Sequence, residues 1–221
     1  LTIPNAAAHR ATNGHAASAG AARRSISYAP LLLLALVIVL RGMINPGLVT
    51  FLPRLFQLRG WSPTEYGLVT SMYWFGGALM GIVFGQLGDR FGSRPLIVAS
   101  MLLAAPAVFG LTVVDGAFSF VLALAAGAFS GGSHSLIVAM AQKMMPTGKG
   151  LASGATLGFI FGTGAIGVLV IGTLADHFGL EAALQVVAVI GVVTGLLAML
   201  LPADQPARVV QPPVVEEPVT A

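Results

Sequence analysis

The sequence predicts an all-α membrane protein with six transmembrane helices. Of its 221 residues, 56% are hydrophobic and 9% are charged, and the mean hydropathy is +0.89. A soluble protein carries about 25% charged residues. The apolar residues fall into six runs of 20 to 25 residues, each long enough for a spanning helix. Helices are favoured over a closed barrel because barrel strands are short and alternate in polarity.

The six predicted helices form one transmembrane domain, residues 29–201, with no room for a second domain. They cover residues 29–52, 64–88, 95–114, 117–141, 151–175 and 182–201. Residues 1–28 are rich in Ala, Gly and Ser without an apolar core, which indicates a flexible cytoplasmic linker or tail and not a signal peptide. Residues 202–221 are predicted to be a Pro-rich cytoplasmic tail. The leucine at position 1 indicates a fragment of a longer protein or an alternative start codon.

The distribution of basic residues predicts the orientation in the membrane. With six helices, both termini share one side with the second-to-third and fourth-to-fifth connections. That side carries Arg10, Arg23, Arg24, Arg90, Arg94, Lys143, Lys149 and Arg208, whereas the other side carries Arg54 and Arg59. The positive-inside rule therefore places both termini in the cytoplasm of a cell with this protein in its inner (plasma) membrane. The net charge of +3 then needs no nucleic-acid partner, since no basic soluble face exists.

The first helix contains polar residues at membrane depth. Arg41 lies about twelve residues into the run, where an arginine costs about 2.5–3.5 kcal/mol on insertion scales. It should therefore face the bundle interior or a water-filled cavity. Asn45 lies on the same helical face, and Pro46 and Gly47 predict a kinked or broken helix with carbonyls near residue 42 turned toward a cavity.

A repeated segment predicts the internal symmetry. "GQLGDRFG" at 85–92 returns as "GTLADHFG" at 172–179, with three helices between the copies. An odd number of crossings places the copies on opposite membrane faces, which is typical of an inverted 3+3 repeat. The alternative is coincidence, because these residue types are common at helix ends.

The longer stretch "GQLGDRFGSRPL" resembles the signature loop of the major facilitator superfamily, Gly-x-Leu-x-Asp-Arg-x-Gly-x-Arg. The matching residues are Gly85, Leu87, Asp89, Arg90, Gly92 and Arg94, while Ser93 stands where a basic residue is common. The resemblance implies a loop that latches helices and gates a conformational switch. The alternative is that Arg90 and Arg94 serve only as positive-inside anchors.

The same resemblance implies a fold and a partner. Members have twelve helices in two halves, so this chain corresponds to one half, and the fourth helix and polar lead-in favour the C-terminal half. The other half is the implied partner, besides the lipid bilayer and a small-molecule substrate. The stretch "SGGSHSLIVAMAQKMMPTGKGLASG" is further similar to fosmidomycin-resistance-type exporters. The function implied is efflux of a small drug-like or anionic solute by alternating access.

In the superfamily the first and fourth helices line the central cavity, so the resemblance assigns a substrate pathway to Arg41, Asn45, Ser130 and His134. Two alternatives remain: Arg41 bonded internally to an acid or to carbonyls of the other half, and His134 hydrogen-bonded between helices. Tyr73 and Trp74 are expected to pack, not to line a pocket.

Glycines at four-residue spacing are predicted to let helices approach closely, because small residues drive packing in lipid. They are Gly77, Gly81 and Gly85 on the second helix and Gly154, Gly158 and Gly162 on the fifth.

The sequence excludes some chemistry and leaves other points open. The chain has no cysteine, and no Asp or Glu lies well inside a span, so no enzyme, cofactor or metal site is expected. Three alternatives remain open for proton coupling. His134 carries the proton, a carboxylate of the other half carries it, or transport is not coupled to protons. A non-transporting six-helix module for structure or assembly, or a homodimer, is the alternative to a transporter.

Overall fold

The structure, a computed structural model, describes residues 28–144 and 148–202. This part of the chain contains six helices with short connections: α1 Tyr28–Leu58, α2 Pro63–Phe91, α3 Ser93–Val113, α4 Phe118–Met144, α5 Lys149–Phe178 and α6 Leu180–Ala198. All six are long and apolar enough to cross a membrane, which confirms the predicted spans. Most of the predicted linker and tail lies outside the described residues, together with Arg10, Arg23, Arg24 and Arg208.

The helix α1 is longer than predicted and is not broken. It continues past the predicted end at residue 52 to Leu58, with Pro46 and Pro53 inside it. Its last turns are held by Leu55 and Phe56, which are fully buried, although Pro53 and the polar residues beside it end the apolar run. A proline in a membrane helix is tolerated where neighbouring helices cover the freed backbone.

The carbonyl freed by Pro46 faces another helix, not a cavity. A Cβ built on Gly164 of α5 would lie 3.3 Å from the carbonyl oxygen of Gly42 and 2.6 Å from the Pro46 ring. The prediction that this carbonyl opens toward a cavity is therefore wrong, because α5 closes against α1 at that depth.

The two copies of the repeated segment have the same backbone geometry. Gly92 joins α2 to α3 with φ 85° and ψ 157°, and Gly179 joins α5 to α6 with φ 87° and ψ 155°. Each donates its N–H to the carbonyl four residues earlier, over 3.0 Å. A positive φ is readily adopted only by glycine, so the repeated glycines end one helix and start the next in the same way.

The helix packing follows the same symmetry. α1 packs mainly against α5 and α6, and α4 packs mainly against α2 and α3. If α1, α2 and α3 are exchanged with α4, α5 and α6, the contacts of α1 become the contacts of α4. The copies also lie on opposite faces, since Arg94 at the start of α3 donates to the Met199 carbonyl beyond α6, whereas Glu181 at the start of α6 meets Arg59 beyond α1. The inverted 3+3 repeat is therefore present.

Arg59 joins three helices at one end of the bundle. Its guanidinium donates to the carbonyl oxygens of Leu111, Thr112 and Val114 over 3.0, 2.5 and 2.9 Å. It also pairs with Glu181 at 2.9 Å. A cation at the C-terminus of a helix satisfies carbonyls that lack a helical partner, so Arg59 caps α3 and ties it to α1 and α6.

The glycines that bring helices together differ from most of those predicted. A Cβ on Gly77 would lie 3.3 Å from the Gly127 carbonyl oxygen, so Gly77 does lie at a close contact. Within the described residues, a Cβ on Gly81, Gly85, Gly154, Gly158 or Gly162 would meet no atom within 4 Å, so close packing at these five glycines stays a prediction. Four-residue spacing indicates which residues share a helix face, but it does not indicate whether another helix packs against that face.

Candidate functional site

A cavity of about 560 Å³ lies among α1, α2, α4 and α5. α1 and α2 each contribute four residues, at positions from 45 to 50 and from 73 to 78, and the rest come from α4 and α5. Pockets for small organic molecules measure about 300–1,000 Å³. The volume therefore suits a small organic solute.

Most of the cavity wall is apolar, with aromatic rings on two sides. Trp74 on α2 and Phe161 on α5 both line it, as do Val49 and Ile160. The two aromatic side chains are 56% and 72% exposed, so they form a rim that the described residues leave uncovered. Large flat rings provide contact area for an apolar solute.

Three polar side chains are linked beside the apolar wall. The Tyr73 hydroxyl donates to Asn45 Oδ1 and lies 2.9 Å from Ser130 Oγ. Ser130 Oγ donates to the Ala126 carbonyl oxygen, over 2.5 Å. These bonds fix the Asn45 amide at the cavity surface, where its NH₂ group makes no hydrogen bond to the described residues.

His134 contributes an imidazole to the same wall from α4. It is half-buried, and within residues 28–144 and 148–202 its ring makes no hydrogen bond. A histidine used only for packing would be expected to bond across the helix contact. The ring nitrogens are therefore free to bond a solute.

Arg41 lies behind the cavity wall. Its side chain is 1% exposed, and its three hydrogen bonds within the described residues all go to α4. Nε donates to Ser133 Oγ over 2.9 Å, and Nη2 donates to the carbonyl oxygens of Ser130 and Gly131 over 2.7 and 3.4 Å. Nη1 is buried and has no hydrogen-bond partner within residues 28–144 and 148–202. Among the described residues, no acid pairs with Arg41.

One residue, Gly131, both contacts Arg41 and lines the cavity. Gly131 accepts the bond from Arg41 Nη2 and also lines the cavity. A Cβ on Gly131 would lie 2.9 Å from the Cα of Gly77, a cavity residue of α2. Gly131 has no side chain, so it connects Arg41 to the cavity wall through backbone atoms alone.

The structure divides the predicted pathway residues into two groups. Asn45 and His134 lie on the cavity surface, whereas Arg41 and Ser130 are buried behind it and outside the lining. Arg41 does bond to backbone carbonyl groups, as one of the alternatives expected. These carbonyl groups belong to Ser130 and Gly131 of this chain and not to the other half. The expectation that Tyr73 and Trp74 only pack is wrong, because both line the cavity.

A sequence signal for the α2 wall was available. Tyr73 with Gly77, and Trp74 with Ala78, are pairs at four-residue spacing on one helix face. An aromatic residue one turn before a small residue leaves a hollow beside a ring, and both pairs line the cavity.

The predicted gating loop lies at the end of α2, away from the cavity residues. Asp89 and Arg90 are exposed, and neither forms an ion pair with a described residue. Arg94 bonds the carbonyl of Met199, which joins α3 to the end of α6. Gly92 supplies the positive φ of the connection.

The six apolar helices and the cavity among them define a multi-pass membrane protein of transporter type. The family model of the Major Facilitator Superfamily matches residues 13–221, so the chain belongs to this superfamily. The inverted repeat of six helices corresponds to one half of its fold. The family is therefore one of transporters and not of enzymes.

Three relatives have transporter or resistance names. The chain is 37% identical over 132 residues to an uncharacterized MFS-type transporter, YfnC, of Bacillus subtilis, covering 60% of this chain and 32% of that protein. It is 30% identical over 148 residues to the fosmidomycin resistance protein of Escherichia coli, covering 67% and 36%. It is 29% identical over 130 residues to the gentisate transporter of Corynebacterium glutamicum, covering 58% and 29%. The chain thus spans about a third of the length of the relatives it matches.

Proposed function

We propose that the chain is half of a secondary transporter that exports a small drug-like or anionic solute by alternating access. The cavity is the observation that carries this proposal, since it joins four helices from both repeats at one site. A small pocket shared by two symmetry-related helix groups is what a rocking mechanism requires. The names of the fosmidomycin resistance protein and the gentisate transporter support a small organic solute.

The partner we propose is a second six-helix half that covers α2 and α5. A Cβ built on the glycines at positions 81, 154, 158 and 162 of these helices would meet no atom of the described residues within 4 Å. Phe75, Leu79 and Ile82 of α2, and Ile166 and Leu169 of α5, are exposed beside them. Small residues among apolar ones suit close helix contact in lipid, and the uncovered rim at Trp74 and Phe161 lies on the same two helices.

The orientation proposed for this half has both termini in the cytoplasm of the inner membrane. Arg90 and Arg94 then lie on the cytoplasmic side, and Arg54 and Arg59 on the other. In this orientation the exposed loop of Asp89 and Arg90 is available as a cytoplasmic gate. Export is exchange for protons in this proposal, and the proposed proton carrier is His134, the histidine that lines the cavity.

The test is a resistance and transport assay on the protein expressed from its full natural reading frame. Ala78→Trp fills the cavity, and Val189→Trp adds the same bulk on α6, at an exposed position outside the cavity. At equal membrane abundance, Ala78→Trp should lose resistance to fosmidomycin or another exported solute, and Val189→Trp should keep it. Equal activity of both variants would contradict a solute path through this cavity.

Direction and coupling need a second measurement. Inside-out vesicles with an acidic lumen should accumulate the solute, and a protonophore should abolish the accumulation. Accumulation that is insensitive to the proton gradient would contradict exchange for protons. A protein that folds yet moves no solute of a broad panel would instead support a module for structure or assembly.

A further inference from the structure

We propose that the cavity selects an organic monoanion with a flat apolar body, and that Arg41 provides the selectivity by its charge from behind the backbone wall at Gly131. This inference rests on the proposed function of the cavity as a solute path. It goes further by assigning the class of solute and by giving a selecting role to a residue outside the cavity surface.

The charge of Arg41 is uncompensated in the part of the chain that the structure describes. Its side chain is 1% exposed, its three bonds go to neutral groups, and Nη1 has no partner. A buried cation without a counter-charge is costly. An anion close by lowers that cost, so the position favours a negative group nearby.

The cavity offers a place for such an anion, because it shares a wall residue with Arg41. Gly131 is at once the acceptor of Arg41 Nη2 and part of the cavity wall, and it has no side chain. In a low-dielectric surrounding, the charge of the guanidinium is little screened across this backbone segment. The guanidinium therefore makes the cavity attractive to a negative charge at the α4 wall.

The α2 and α5 walls specify the rest of the solute. Trp74, Phe161 and Ile160 present apolar surface, two of them as aromatic rings. A flat apolar body buries its area against these rings. A small hydrated anion without such a body gains no such contact, and a dianion would leave one charge without a counter-charge.

Two polar groups complete the recognition of an acidic head group. The Asn45 NH₂ and the His134 imidazole both lie at the cavity without hydrogen bonds to described residues. Amide and imidazole N–H groups donate to carboxylate oxygens. His134 and Gly131 are both on α4. The imidazole therefore lies on the wall where the charge of Arg41 makes the potential positive.

The experiment measures binding of three radiolabelled probes to the purified protein from its full natural reading frame. Benzoate carries a ring and one charge, benzamide is its neutral counterpart of equal shape, and acetate has the charge without the ring. Benzoate should bind at least about tenfold more tightly than benzamide and more tightly than acetate. Benzamide binding as tightly as benzoate would overturn the proposal.

Arg41→Met tests the residue assigned. It should abolish the preference for benzoate over benzamide and leave the affinity for benzamide unchanged, whereas Arg41→Lys should keep most of the preference. A general structural defect would lower both affinities together. If Arg41→Met does not accumulate, the comparison of probes on the unaltered protein still decides. A preference that survives Arg41→Met would overturn the role of this residue.

The outcomes separate this inference from the proposed function. In one outcome, a neutral solute binds better than its anionic counterpart to the unaltered protein and fails to bind to Ala78→Trp. This result overturns the selection of anions but keeps the cavity as the path. A ratio near one is also the result expected if a carboxylate of the second half neutralises Arg41. Folded protein that transports no solute overturns both.

Discussion

Arg41 of α1 donates from Nε to the hydroxyl Oγ of Ser133 on α4, over 2.9 Å. Ser133 Oγ in turn donates to the Ser130 carbonyl oxygen over 3.1 Å. The hydroxyl therefore keeps a partner when the guanidinium is removed, and the helices remain packed around apolar residues.

The first prediction concerns stability after loss of this charge. Arg41→Met keeps most of the side-chain volume and removes a buried cation, whose cost at membrane depth is about 2.5–3.5 kcal/mol on insertion scales. We expect the melting temperature in detergent to be equal to or higher than that of the unaltered protein. A fall of many degrees would show that Arg41 serves mainly to hold α1 against α4.

The second prediction concerns the contact of α2 with α4. A Cβ on Gly76 would lie 2.2 Å from the Leu124 carbonyl oxygen, whereas a Cβ on Gly67 of the same helix would meet nothing within 4 Å. We expect Gly76→Ala to destabilise the protein by about 1–3 kcal/mol, since backbone must move to admit the methyl group. Gly67→Ala should be neutral or slightly stabilising. Equal effects on thermal unfolding would contradict the close contact.

The third prediction separates helix capping from ion pairing at Arg59. Arg59→Ala removes the donors to three carbonyl groups of α3 and should cost about 2–3 kcal/mol. Glu181→Gln removes only the partner of an ion pair, and the Glu181 side chain is 58% exposed, so the loss should be less than about 1 kcal/mol. Thermal unfolding of the two variants gives the comparison. A larger loss for Glu181→Gln would make the ion pair the main contribution.

The sequence alone predicts the helices and their junctions, but not where α1 ends. Six apolar runs predict six helices because a membrane requires both length and apolar composition. The repeated glycines predict matching helix junctions, since positive φ has few alternatives to glycine. In contrast, the end of α1 depends on burial of Leu55 and Phe56 by other helices, which a local run of residues does not encode.

The candidate site was predicted in part for the same reason. A polar residue in a span indicates a protein-facing position, and Arg41, Asn45 and His134 all face the bundle. Whether such a side chain lies on a cavity wall or behind it depends on how closely helices approach. The Gly77–Gly131 contact decides that for Arg41, and sequence spacing did not predict that contact.

The fourth prediction concerns the uncovered faces of α2 and α5. Gly158→Trp places bulk where a Cβ meets no atom of this half, so six-helix packing should be unaffected. In the full natural reading frame we expect transport to fall because the second half no longer closes on this face. Val189→Trp on α6 is the control for bulk at an exposed position. Normal transport by Gly158→Trp would place lipid, not protein, against that face.

The most direct test of the cavity as the solute path uses single cysteines. The chain contains no cysteine, so one introduced at Ala78, in the cavity, reports on that position alone within it. Reaction with a water-soluble thiol reagent requires access of water to the thiolate, and Val189→Cys on the exposed face of α6 is the control. We predict that Ala78→Cys reacts, that the reaction blocks transport, and that solute slows it, while Val189→Cys stays unmodified. An Ala78→Cys protein that is modified yet transports normally would contradict the account.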